Sequence, residues 1–166
     1  MANTTVKRTI KISLIVLLIA LVVIQFIHPA KNIGPVGSPI DIAVLYPMPD
    51  SVQRIMEKAC NDCHSNNTRY PWYNNLQPVA WWLNHHVEEG KKELNFSEFG
   101  KRTLVKQAKK LKKLAKEVQT GGMPLDSYTW IHKDAILTEQ EKNILIDWAT
   151  NLSNQISAKA PVAPAQ

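Results

Sequence analysis

Cys60-Asn61-Asp62-Cys63-His64 holds the only two cysteines of the 166-residue chain, three positions apart, with a histidine directly after the second. Two thiols one helical turn apart match the separation of the two vinyl groups of a haem, so each can add across one of them. An imidazole fixed beside that double attachment is then aimed at the iron as its proximal ligand. The spacing predicts one covalently attached c-type haem per chain, with Cys60 and Cys63 as the thioether residues and His64 as an iron ligand. Two other chemistries use a Cys-x-x-Cys pair. A redox disulfide belongs with a strand-helix-strand pattern, which is absent here, and it leaves His64 unexplained. A zinc site closed by His64, or by His85 and His86, lacks a second Cys or His pair at close register.

The iron's second axial position needs its own candidate. A thioether is a soft ligand that favours the ferrous state and raises the potential. Met123 follows Gly121-Gly122, which let backbone pass close to a flat macrocycle, and Pro124 stiffens the segment behind it. Met48 and Met56 are the alternatives among the methionines, one in a linker and one on a helix. His85, His86 and His132 are the imidazole alternatives.

Helices must position these groups. Pro49-Asp50-Ser51 opens one, with Asp50 or Ser51 as cap and Val52, Ile55, Met56 and Ala59 on one face, and it delivers Cys60 to its end. Residues 65–76 form a polar and aromatic loop. Pro78 starts the next helix, which Gly90 ends. Asn95, with Glu98 three positions on, starts a third, whose apolar stripe runs through Leu104, Ala108, Leu111, Ala115 and Val118. Thr138 and Glu141 form a capping box for a last helix with Ile144, Leu145, Trp148, Ala149 and Leu152 inward. Scarce glycine (six residues) and rare β-branched alternation agree with an all-α domain.

The amino-terminal end reads differently. Lys7, Arg8 and Lys11 precede the uncharged run 12–27, ISLIVLLIALVVIQFI. A positive flank before an apolar run predicts a signal sequence or an uncleaved anchor. The absence of a small-x-small site after it favours a single transmembrane helix. Sixteen residues rise about 24 Å, short of about 30 Å of hydrocarbon, with Ile10 and a snorkelling Lys11 extending the span. The expected organisation is an anchor (1–28), a Pro/Gly linker (29–49), a haem domain (50–153) and a disordered tail (154–166). The expected location is the bacterial cytoplasmic membrane, with the haem domain facing the periplasm.

The net charge of +6 is concentrated on the face of the third helix opposite its apolar stripe, at Lys101, Arg102, Lys106, Lys109, Lys110, Lys112, Lys113 and Lys116. A solvated helix face is the default explanation, and the functional one is a docking surface for an acidic redox partner or lipid headgroups. No nucleic-acid motif accompanies it.

A larger set of residues resembles one known family. Cys60-x-x-Cys63-His64-Ser65-Asn66, Thr68, Tyr70-Pro71-Trp72-Tyr73, Pro78, Trp81-Trp82, His86-Val87, Gly90, Leu94-Asn95-Phe96-Ser97, Met123-Pro124, Tyr128, His132 and Trp148 look like the haem-binding domain family. Its members are small, membrane-anchored bacterial proteins similar to cytochrome c. The resemblance covers roughly residues 40–152 and implies a cytochrome c-like helical fold and haem binding. Gly90-Lys91-Lys92 carries Lys where an Arg looks usual. Together these readings predict a membrane-anchored single-electron carrier with His/Met ligation. The rival is a sensor or a peroxide- or gas-handling enzyme with a displaceable ligand, using His86 or His132.

Overall fold

The computed structural model describes residues 2–160. In chain order the α-helices are α1 (Ala2–Ile24), α2 (Ile42–Leu45), α3 (Asp50–Ala59), α4 (Asn61–His64), α5 (Val79–Glu93), α6 (Leu104–Thr120), α7 (Asp126–Thr129) and α8 (Glu139–Lys159). Tighter 3-10 turns lie at Trp72–Asn75, Phe96–Lys101 and Lys133–Ala135. The only extended pairing among the described residues is an isolated antiparallel bridge, Ile33 with Asn67. The all-α expectation is borne out. The chain forms two units, one from the residues up to Lys31 with Arg69–His86, the other from Asn32–Thr68 with Val87 onward.

In the first unit, α1 is apolar and exposed from Ile12 to Val23. It ends at Ile24 because the chain is captured just beyond. Gln25 accepts a bond from the Gln77 backbone N–H (2.9 Å) and donates to the Gln77 carbonyl (3.1 Å). The Ile27 carbonyl accepts from Gln77 Nε2 (2.8 Å) and Trp81 Nε1 (3.0 Å). Among the described residues no helix is long and apolar enough to cross a membrane. The expected transmembrane helix is therefore not borne out. Lys7, Arg8 and Lys11 fall inside α1, which leaves only Ile12–Ile24 uncharged, a rise of about 20 Å against about 30 Å of hydrocarbon.

The second unit is built on the antiparallel pair α6 and α8. The apolar stripe of α6 meets Leu145, Ala149, Leu152 and Ile156 of α8, and Phe99, Leu111 and Leu145 are fully buried. Ser153 is also fully buried and is satisfied by donating to the Ala108 carbonyl at 2.8 Å. Thr138 and Glu141 form the expected capping box. The α3 face of Val52, Ile55 and Met56 packs into the same core.

Several boundaries differ from expectation. Residues 32–49 are no mere linker: Ile42 of α2 is in the core, and the Gly100 N–H donates to the Ile40 carbonyl at 2.9 Å. The expected tail from 154 is helical to Lys159, because Ile156 still has core to cover; residues 161–166 lie outside the described residues. The third expected helix is split. Asn95 caps the 3-10 turn through Ser97 N–H, and Thr103 caps α6 through Lys106 N–H. Pro49 takes the α3 cap position, so Asp50 is already helical.

Candidate cofactor site

Cys60 is the joint between α3 and α4. Its N–H still bonds the Met56 carbonyl (2.9 Å), while its own carbonyl accepts from both Cys63 N–H (3.2 Å) and His64 N–H (3.0 Å). That second turn is short, and neighbours hold it. Thr68 Oγ1 donates to the Asp62 carbonyl (2.6 Å), and Asn32 Nδ2 donates to both Thr68 Oγ1 and the Ser65 carbonyl (2.9 Å each). Asn66 donates its N–H to Ser97 Oγ (3.1 Å) and accepts at Oδ1 from Asn95 Nδ2 (2.8 Å). The small polar residues after the motif therefore serve as its scaffold.

His64 is oriented by backbone. Its Nδ1 lies 2.9 Å from the Gly90 carbonyl and 2.8 Å from the Leu94 carbonyl. Carbonyls only accept, so Nδ1 carries the hydrogen, and in the neutral ring the lone pair is then on Nε2. This is the outer-shell arrangement that fixes tautomer and ring for a metal-ligating histidine.

Gly90 does not end its helix; α5 continues to Glu93. A Cβ at Gly90 would stand 2.6 Å from the Cys63 carbonyl oxygen and 3.1 Å from the Cys63 Cβ. Only glycine lets α5 lie this close over the motif and bring its last carbonyls to His64. Gly90→Ala should gain about 1 kcal/mol of helix propensity but lose about 3 kcal/mol to the backbone clash. The expected net loss in denaturant unfolding is about 2 kcal/mol; unchanged stability would show that α5 can shift at no cost.

Cys60, His64 and Met123 line one cavity of about 240 Å3, open on one side. Its walls are mostly apolar (Ala59, Leu94, Phe96, Leu114, Val118, Pro124 and Leu137), with Glu93, Lys110, Lys113 and Glu117 also lining it. The volume is below the roughly 300–1,000 Å3 of ligand clefts and cavities, so a haem seated here would keep part of its plate outside the cavity. Met123 is carried there by the end of α6. Gly121 adopts φ +76°, a left-handed cap, and Met123 N–H donates to the Glu117 carbonyl at 3.1 Å. The imidazole, the thioether and the largely apolar walls of this cavity are groups that suit a haem. Cys63 does not line this cavity; it lies beneath Gly90. Met56 is buried in the core, Met48 packs beside it, and neither lines the cavity.

The rival chemistries lose support here. Burial and the neighbouring Cys63 push the Cys60 thiol up to about 12, and burial and Asp62 push Cys63 up to about 11. Thiol–disulfide exchange needs the opposite shift. Among the described residues no three His, Cys, Asp or Glu side chains converge as a metal-holding group. None of His85, His86 and His132 lines the cavity. His86 packs edge-on against Trp82 (centroids 4.5 Å), and burial and His85 lower its pKa. His132 stacks on Tyr128 (4.2 Å).

Tyr128 itself makes a contact that the sequence did not reveal. Its hydroxyl donates to Asp62 Oδ2 at 2.7 Å, tying α7, just beyond Met123, to the middle of the Cys-x-x-Cys turn. A tyrosine and an aspartate 66 residues apart carry no local signal. Tyr128→Phe removes only the hydroxyl and should cost about 1–3 kcal/mol in thermal or denaturant unfolding. A cost under about 0.5 kcal/mol would mean that this tie does not hold in solution.

Compared with known families, the chain matches the haem-binding domain over residues 19–151. No curated protein and no solved structure matches it.

Proposed function

The chain belongs to the haem-binding domain family, and from that premise we propose that it carries single electrons on one covalently attached haem. The observation that carries this reading is His64, whose Nδ1–H is committed to the Gly90 and Leu94 carbonyls on a residue that lines the cavity. Its Nε2 is left as the iron ligand. Cys60 and Cys63 would hold the haem by adding S–H across its two vinyl groups, a step that needs no oxidant. The haem iron supplies a ferric–ferrous couple. Met123, which lines the same cavity, would offer its thioether sulfur as a second iron ligand. Two protein ligands to the iron would leave no position for a substrate, as an electron carrier requires.

Partner and place extend the proposal. Lys106, Lys109, Lys112 and Lys116 are exposed along α6 and suit an acidic redox partner. The haem domain faces the periplasm of a bacterial cell, where such attachment takes place. The apolar side chains of α1 are exposed and would hold the protein at the cytoplasmic membrane. The test is an absorption spectrum of the exported full-length protein, oxidised and reduced, with and without carbon monoxide. Low-spin spectra in both states with little carbon monoxide binding support an electron carrier. Rapid binding by the ferrous form overturns it in favour of a gas- or peroxide-handling protein.

A further inference from the structure

We infer that Lys110 and Lys113 form the carboxylate-binding edge of this cavity, where the two propionates of the haem are held, and that Glu93 gathers both ammonium groups there beforehand. The inference rests on the haem reading above. Both lysines and Glu93 line the cavity, whose other walls are mostly apolar. Lys110 Nζ lies 3.2 Å and Lys113 Nζ 2.8 Å from the same carboxylate oxygen, Glu93 Oε2. The two lysines stand three apart on α6, so they share one face.

Three other ion pairs, Lys92–Glu89, Lys101–Glu98 and Lys142–Glu139, each join residues three apart in sequence, and Lys58–Glu141 joins α3 to α8 without lining the cavity. The Glu93 pairs instead cross from the end of α5 to α6, and they open onto the cavity. Exposed pairs of this kind contribute little to stability, so stability alone does not account for them. Lys110 and Lys113 against Glu93 and Glu117 make the charged lining of the cavity neutral, with the two ammonium groups its only cations. Without the lysines an entering dianion would meet only negative side chains. A haem brings two carboxylates on an apolar plate, and two ammonium groups beside an apolar wall are their complement. Leu94, next to Glu93, holds His64 through its carbonyl. One turn of chain therefore serves both the iron ligand and the carboxylate edge.

The test is a potentiometric titration of full-length holoprotein between acid and alkaline pH. Wild type is compared with Lys110→Gln/Lys113→Gln, with the arginine pair Lys110→Arg/Lys113→Arg, and with Lys109→Gln/Lys112→Gln as a charge-matched control outside the cavity. Losing cations beside the propionates stabilises the ferric state, so the ferric/ferrous ratio at a fixed potential should rise roughly tenfold in the first variant. Tenfold corresponds to about 59 mV for one electron. The same loss raises the propionate pKa, so the potential should become more pH-dependent. The arginine pair should restore both properties, and the control should leave the pH dependence as in wild type. An attached haem whose potential and pH profile are unchanged in the first variant, or equally changed in the control, overturns the inference and leaves the haem reading standing. Wild type without attached haem overturns the haem reading itself, and this inference with it.

Discussion

Denaturing the wild-type protein in acid and organic solvent is expected to leave its haem on the polypeptide, and Cys60→Ala/Cys63→Ala is expected to release all of it. The effect is all-or-none because thioether bonds survive unfolding, whereas axial ligation and packing do not. Either single alanine variant should keep the haem through the remaining sulfur, less completely, and intact-mass analysis of each exported protein reads the outcome. The two positions are not equivalent. Cys60 lines the cavity, while the backbone of Cys63 is pressed against Gly90. Cys63→Ala removes a sulfur beneath α5, whereas Cys60→Ala alters the cavity wall itself. His64→Ala should keep both thioether bonds yet lose the low-spin spectrum, because the iron's proximal nitrogen is gone. Complete extraction of haem from wild type would sink the covalent reading.

Met123→Ala is expected to open the iron's sixth position. The ferric spectrum should move towards high spin, and the ferrous form should bind carbon monoxide about a hundredfold more tightly. That factor follows if wild type is open roughly 1% of the time, since apparent affinity scales with the competent fraction. The variant is a fair test because the backbone, and not the side chain, sets the loop: Gly121 caps α6 in the left-handed region, and Met123 N–H is bonded to the Glu117 carbonyl. Met123 is only partly buried, so its truncation should cost less than the roughly 2–5 kcal/mol of a core methionine. Met123→His should keep a low-spin iron at a lower potential, because imidazole stabilises the ferric state more than thioether does. Suppose instead that wild type already binds carbon monoxide quickly and Met123→Ala leaves its spectrum unchanged. Met123 is then a packing residue, and the electron-carrier reading fails.

Features that depend on neighbours within about four residues are legible in the amino-acid order itself. The Cys60, Cys63 and His64 spacing is one helical turn, the α3 face repeats at helical period, and the Thr138–Glu141 box closes on itself. They lead directly to the Cys-x-x-Cys-His motif, the helical class and the start of α8. Met123 can be nominated from its glycine neighbours. Its sharing of a cavity with Cys60 and His64 requires α6 to be folded against the rest of its unit.

Local pattern fails where a distant part of the chain decides. Gly90 looks like a helix stop, yet it is glycine because Cys63, 27 positions earlier, presses its carbonyl where a Cβ would be. The segment 32–49 looks like a spacer, yet Ile42 is buried and Ile40 is bonded to Gly100. In α1 the apolar run is plain, but not where its helix ends. That point is set by Gln25, whose amide is taken up by Gln77, 52 residues away. Which groups could do chemistry follows from the order of residues, since their reactivity and helical register are local. Which faces come close enough to act together follows only from the packed chain, because close approach and burial are set by residues far apart along it.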